Sequence, residues 1–128
     1  MNPIPLVSFL LVRDKKVLME IRKPTAMGAG ETWFPGGHVE EGETNEHALL
    51  REMKEEVNVQ PLRYHLLITL PWSRNGKAYA VHYYVCPKWN GEIENKEGAN
   101  FIWVDYSDSS KLTDEIDRIV FRKLMEEI

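Results

Sequence analysis

"GGHVEEGETNEHALLREMKEEVNV", Gly36 to Val59, is the stretch on which the reading of this chain turns. From Thr44 onward, Ala48, Leu49, Met53 and Val57 recur at steps of three and four, the period of a helix that buries one stripe. Thr44 is a good N-cap, and Glu46 falls in the first turn, where the helix dipole favours an acid. The spacing predicts a helix of about three to four turns. Glu52, Glu55 and Glu56 stand on that helix at the same three- and four-residue steps, so their carboxylates project from one face. Each like-charge contact of this kind costs an isolated helix roughly 0.2–0.5 kcal/mol, and the dipole disfavours acids in the C-terminal half. Arg51 is placed to pair with Glu55, but no basic side chain of the helix is placed to neutralise the face of Glu52. A solvated surface helix is the ordinary home for acids. A hard divalent cation accounts for this crowding better. Mg²⁺ seeks oxygen ligands, tolerates few protein carboxylates, and completes its shell with water and phosphate.

Outward from the helix, Ile4 to Val12 is apolar and rich in β-formers, and "KKVLMEIRK" alternates around a second apolar set. Arg13 to Lys16 forms the turn between these two strands. "PTAMGAGET" is a Gly-containing loop, and "WFPGGHVEEGE" carries too much Gly and Pro to stay regular for long. Leu62 to Leu70, Ala78 to Cys86 and Phe101 to Val104 read as strands, the first two joined by a turn within "PWSRNGK". Thr113 is expected to cap a second helix, with Ile116, Ile119, Val120, Leu124 and Ile128 as its apolar stripe. The order strand, strand, helix, several strands, helix indicates an α+β fold in which helices cover a mixed sheet.

The chain has 128 residues and is 43% hydrophobic, enough for one domain over residues 1–128 with a real core. A net charge of -4, with both signs mixed along the chain, argues against bulk nucleic acid as a partner. Cys86 is the sole cysteine, so no intrachain disulfide is available, and a reducing cytoplasm fits. The first apolar run is far shorter than the roughly 20 residues that cross a bilayer, and no basic stretch precedes it. No membrane association is expected.

Gly36 and Gly37 can bring backbone groups close to a ligand, and Glu43 and Arg51 are positioned to clamp the loop onto the helix. Gly37, Glu43, Arg51, Glu52, Met53, Glu55, Glu56 and Val59 fit G-x5-E-x7-R-E-U-x-E-E-x-G-U, U being bulky and apolar, with one departure. This 23-residue run resembles the Nudix box. Asn58 stands where the pattern has Gly; that position ends the helix in a left-handed conformation, which Asn tolerates best after Gly.

The resemblance implies an α/β/α sandwich and a Mg²⁺-dependent pyrophosphohydrolase, Mn²⁺ being a substitute ion. "FPGG" before the box and "KEGANFIW" after it are most similar to the small MutT-type members, which act on nucleoside triphosphates. By that resemblance Glu52, Glu55, Glu56, Glu97 and the Gly36 carbonyl hold metal, and Glu52 is the first choice for deprotonating water, with Glu55 next. Arg22 corresponds to a phosphate-contacting arginine. Asp114, near the start of the last helix, corresponds to a side chain that reads the base edge, favouring a purine such as guanine or its 8-oxo form. Trp33, Phe34, Trp72, Tyr79 and Trp103 are available to sandwich a base, Phe34 being the best placed.

Other readings stay open. By the same resemblance Pro71 is a weak pointer to ADP-ribose hydrolysis, falling a few residues earlier than the proline that such members carry after the box, and dinucleoside polyphosphates are a further substrate class. A non-catalytic nucleotide-binding module would keep the same fold, although a pure binder has no need of the repulsion among Glu52, Glu55 and Glu56. The protein is expected as a monomer or as a homodimer joined through an edge strand.

Overall fold

The computed structural model describes residues 2–97 and 100–128. Strand β1 (Ile4–Arg13) turns through Asp14 and Lys15, both at positive φ, into β2 (Lys16–Ile21). Two short strands follow, β3 (Thr32–Trp33) and β4 (Gly36–His38), in the segment read as mostly irregular. Helix α1 (Asn45–Val57) has the expected N-cap, the Thr44 side chain accepting from the His47 amide at 3.1 Å. Its C-cap is Asn58, left-handed at φ 55 and ψ 40, with its amide bonded to the Lys54 carbonyl.

The next two strands are longer than their apolar runs suggest: β5 is Gln60–Arg74 and β6 is Lys77–Asn90. Their turn narrows to Asn75 and Gly76, both at positive φ, the two-residue connection that matches strand twist. Strand β7 (Asn100–Asp105) and a 3₁₀ turn at Ser109–Lys111 precede helix α2 (Glu115–Glu127).

Thr113 does not cap α2. Asp114 does, through Oδ1 and the Ile116 amide, while the Thr113 hydroxyl is taken by the backbone of Thr32. The stripe of α2 also differs from the expected one. Ile116, Asp117, Val120, Phe121 and Leu124 are buried, and Ile119 and Ile128 face outward.

Hydrogen bonding runs β3-β2-β1-β6-β5, with β4 added to β1 and β7 to β2. The sheet is mixed because β1 and β6 are parallel, Ile4 opposite Tyr79 through Leu11 opposite Cys86. Alternation along β1 then serves both faces. Val7, Phe9 and Leu11 pack with Ala48, Leu49, Met53 and Val57 of α1. Leu10 joins Val81, Tyr83 and Val85 against Ile116, Val120, Phe121 and Leu124 of α2. The result is the expected α/β/α sandwich.

One feature of β1 makes room for a site. Near its C-terminal end it pairs with β2, Val12 opposite Val17, whereas Leu6, Val7 and Ser8 pair with His38, Gly37 and Gly36 of β4. β2 and β4 therefore take turns on the same edge of β1, and a cleft opens where they part.

Candidate active site

The cleft has a volume of about 290 Å³ and is lined from several elements at once. β1 supplies Leu6 to Ser8, β2 supplies Glu20 with Arg22 just beyond it, β4 supplies Gly36 to His38, and α1 supplies Glu52 and Glu56. Trp33, Phe34 and Trp72 form aromatic walls, Glu97 comes from the segment before β7, and Asp114 and Asp117 come from the start of α2.

Gly37 lies so close to α1 that a Cβ there would collide with the Glu52 carboxylate, whereas a Cβ on Gly36 would collide with the Val7 carbonyl. One glycine thus admits the Glu52 side chain and the other admits a neighbouring strand. Arg51 is the hub of the loop-helix junction. Its Nε and Nη2 donate to the two oxygens of Glu43 at 2.8 and 2.9 Å, and Nη2 also donates to the His38 carbonyl. Arg51 Nη1 reaches Glu52 at 2.9 Å and Glu55 at 3.1 Å. The face of Glu52 is therefore partly neutralised from within the helix, contrary to the expectation from spacing, because a long guanidinium can fork across neighbouring positions.

The three box acids do not share one environment. Glu52 and Glu56 point into the cleft, while the Glu55 side chain is half-exposed beside Arg51 and is not part of the lining. Glu56 is buried, and among the described residues its Oε2 has no hydrogen-bond partner. Burial pushes the Glu56 carboxyl up to about 10, aided by the negative charges of Glu20, Glu52 and Glu97. Burial also raises Glu52 and Glu20, against the opposing pull of Arg51 and Arg22 respectively. Glu97 is carried to this cluster by its own backbone. The Glu94 amide bonds to the Val57 carbonyl and the Lys96 amide to the Glu56 carbonyl, which ties the segment to the end of α1. The Lys23 ammonium also donates to the Glu97 carbonyl.

A divalent cation suits this donor set. The acids are hard oxygen ligands, and a buried carboxylate oxygen without a donor is costly unless something positive meets it. Among the described residues, no three acidic or imidazole side chains form a ready-made cage. An ion held here would take part of its shell from water and substrate oxygens, as Mg²⁺ commonly does.

Arg22 stacks over Trp33 at 4.5 Å, donates to the Met27 carbonyl, and bonds Glu20 at 2.7 Å. Phe34 is buried in the wall beside Tyr83, with ring centroids 6.3 Å apart. Trp33 and Trp72 meet edge to face, Tyr79 backs Trp72 from outside the lining, and Trp103 lies elsewhere beneath Arg13. Asp114 caps α2, lines the cleft, and has Arg74 at 3.8 Å.

Glu20 and Asp117 were missed by sequence reasoning. Each has a signal in hindsight: Glu20 shares a face of β2 with the buried Leu18, and Asp117 falls on the stripe of Val120, Phe121 and Leu124. Burial holds the Asp117 carboxyl well above the usual range, with Asp114 and Glu31 adding to the effect against hydrogen bonds from Tyr83 and the Phe34 amide.

A NUDIX domain model matches residues 3–124. The chain is 30% identical to the 8-oxo-dGTP diphosphatase of Escherichia coli (strain K12) over 98 residues, 77% of this chain and 76% of that protein. It is 27% identical to the CTP pyrophosphohydrolase of the same organism over 103 residues, 80% and 76% of the two chains. Among solved structures, the crystal structure of a MutT NUDIX hydrolase from Burkholderia pseudomallei matches with a TM-score of 0.88 and 26% identity, covering 97% of this chain and 99% of that one.

Proposed function

The chain belongs to the NUDIX domain family, and on that premise we propose that it cleaves a nucleoside triphosphate into monophosphate and pyrophosphate with the help of Mg²⁺. The observation that carries this reading is the buried Glu56 oxygen, unpartnered among the described residues, beside Glu20, Glu52 and Glu97 in a cleft that Trp33, Phe34 and Trp72 also line. Acid at one side and aromatic surface at the other suit a ligand with a polyphosphate and a base.

Glu52, Glu56 and Glu97 would hold the cation, with Gly36 and Gly37 at its border; when bound, it neutralises phosphate charge and makes phosphorus more electrophilic. Glu52 takes the proton from the attacking water. Its upward shift makes it a better proton acceptor than an ordinary carboxylate, and Arg51 Nη1 at 2.9 Å fixes its orientation. The water oxygen bonds to phosphorus and the bond from that phosphorus to the bridging anhydride oxygen breaks; attack at the α-phosphorus leaves the bridging oxygen on pyrophosphate, and attack at the β-phosphorus leaves it on the monophosphate. Glu55, outside the lining, acts on Arg51 rather than on water. Arg22 stands at the mouth to meet phosphate oxygens.

Phe34, Trp33 and Trp72 line the space for a base, and Asp114 offers an acceptor to its N–H groups. An oxidised purine such as 8-oxo-dGTP and an amino-bearing pyrimidine such as CTP both meet that requirement, in keeping with the relatives that carry those names. The test is product identification with Mg²⁺ over 8-oxo-dGTP, the common deoxynucleoside triphosphates, CTP, ADP-ribose and dinucleoside polyphosphates. A nucleoside triphosphate turned over fastest, with pyrophosphate released, is the expected result. Preferential cleavage of ADP-ribose, or release of single phosphates, would reject the assignment.

A further inference from the structure

We propose that Glu20, on β2, is an additional ligand for the divalent cation, lying outside the box motif and facing Glu56 across the cleft. The inference rests on the metal-dependent reading above and names one more residue in its site. Glu20 lies inside a strand bonded on both sides, opposite Trp33 of β3 and Phe101 of β7, so its position is set by the sheet and not by a loop. The residue is 4% exposed, and a carboxylate so enclosed needs compensation.

Arg22 supplies part of that compensation, with Nη1 at 2.7 Å from Glu20 Oε1. The guanidinium is already divided, its Nε given to the Met27 carbonyl and its face laid on Trp33. Arg22 bears on Glu56 only as a distant positive charge, weaker than the opposing charge of Glu20, and among the described residues no donor meets the buried Glu56 Oε2. Two enclosed acids from different layers, one with a buried oxygen that no described residue meets, form an arrangement that an oxygen-seeking cation between them would stabilise. Anchoring of Arg22 alone would leave the placement of Glu20 toward Glu56 without a purpose.

A cation held this way ties β2 to α1, so its loss should be felt in stability as well as in binding. The test uses the full chain stripped of metal, as wild type and as Glu20→Gln. Mn²⁺ affinity is measured by calorimetry, and the water molecules on bound Tb³⁺ are counted from luminescence lifetimes in H₂O and D₂O. Glu20→Gln should weaken Mn²⁺ binding on the order of tenfold or more, add about one water to bound Tb³⁺, and reduce the rise in melting temperature caused by Mn²⁺. Glu20→Asp, which keeps the charge and shortens the reach, should also add water to the ion, and it serves if the glutamine variant does not fold. An unchanged water count and affinity in a folded variant overturns the role of Glu20 while leaving the hydrolase reading intact. A wild-type chain that takes up no Mn²⁺ overturns both.

Discussion

Arg51 grips Glu43 in a two-pronged pair, Nε to Oε2 at 2.8 Å and Nη2 to Oε1 at 2.9 Å, and in doing so fastens the loop before α1 to the middle of that helix. The same guanidinium bonds Glu52, so the loop and the Glu52 carboxylate share one fixing point. Lysine, a point charge, cannot reproduce the fork. Arg51→Lys should therefore lower the turnover rate on the order of 10²-fold, with a smaller loss of melting temperature. Parallel rate and melting measurements check this.

The pair also predicts acid sensitivity. Hydrogen bonds from Arg51 hold the Glu43 carboxyl down to about 2, from the ordinary 4.5. A group depressed on folding contributes stability above its unfolded value and loses that contribution as pH falls through its folded one. The melting temperature should therefore drop between about pH 4.5 and 2, and Glu43→Gln should flatten that part of the profile.

Glu56 works in the opposite sense. In the metal-free protein its carboxyl is pushed up to about 10, so the folded chain holds a proton that the unfolded chain releases near 4.5. Stability should fall as pH rises from about 5 to 10, by at most about 1.4 kcal/mol per pH unit for one proton. Glu56→Gln in the presence of EDTA should raise the melting temperature at pH 8 and reduce this slope. Asp117, also raised by burial, leaves some slope behind. Thermal melts across pH with and without EDTA measure it.

The two adjacent glycines should fail differently. A methyl on Gly36 meets the Val7 carbonyl of a fixed strand, whereas one on Gly37 meets the tip of the Glu52 side chain. Gly36→Ala should cost about 3 kcal/mol of stability. Gly37→Ala should cost less in stability and should depress the rate, because Glu52 is the group that must move. Denaturant titrations and initial rates separate the two.

Asn58 offers a milder test of the box's one departure. At φ 55 the residue is left-handed, and its Nδ2 donates to Glu94 at 3.2 Å. Asn58→Ala should destabilise by about 1 kcal/mol. Asn58→Gly should lie within about 0.5 kcal/mol of the parent, backbone freedom offsetting the lost bond. Urea unfolding midpoints decide it.

The legible parts of this chain were those written in local spacing. α1, its Thr44 and Asn58 caps, the Glu43–Arg51 clamp and the turns at Asp14–Lys15 and Asn75–Gly76 all follow from residues within a few positions of one another or from the box pattern. What spacing hides is which partner a strand finds. The parallel pairing of β1 with β6, and the exchange of β2 for β4 along β1, join residues far apart in sequence and create the cleft. Glu20 and Asp117 were therefore hard to see. Each lies on the apolar face of its own element, but a charged residue there is read as a break in the pattern until the closed sandwich shows what it meets. Thr113 lost the α2 cap for a similar reason, since its hydroxyl bonds the backbone of the distant Thr32.

Whether Glu56 and Glu52 hold the ion and act on the water that breaks a phosphoanhydride bond is measured most directly by the rate of pyrophosphate release from a nucleoside triphosphate in saturating Mg²⁺. Wild type, Glu52→Gln and Glu56→Gln should be compared at matched folded fractions. Wild type should release pyrophosphate, and each variant should lose rate on the order of 10³-fold with folding retained. A Glu56→Gln protein that releases pyrophosphate at the parent rate would contradict it.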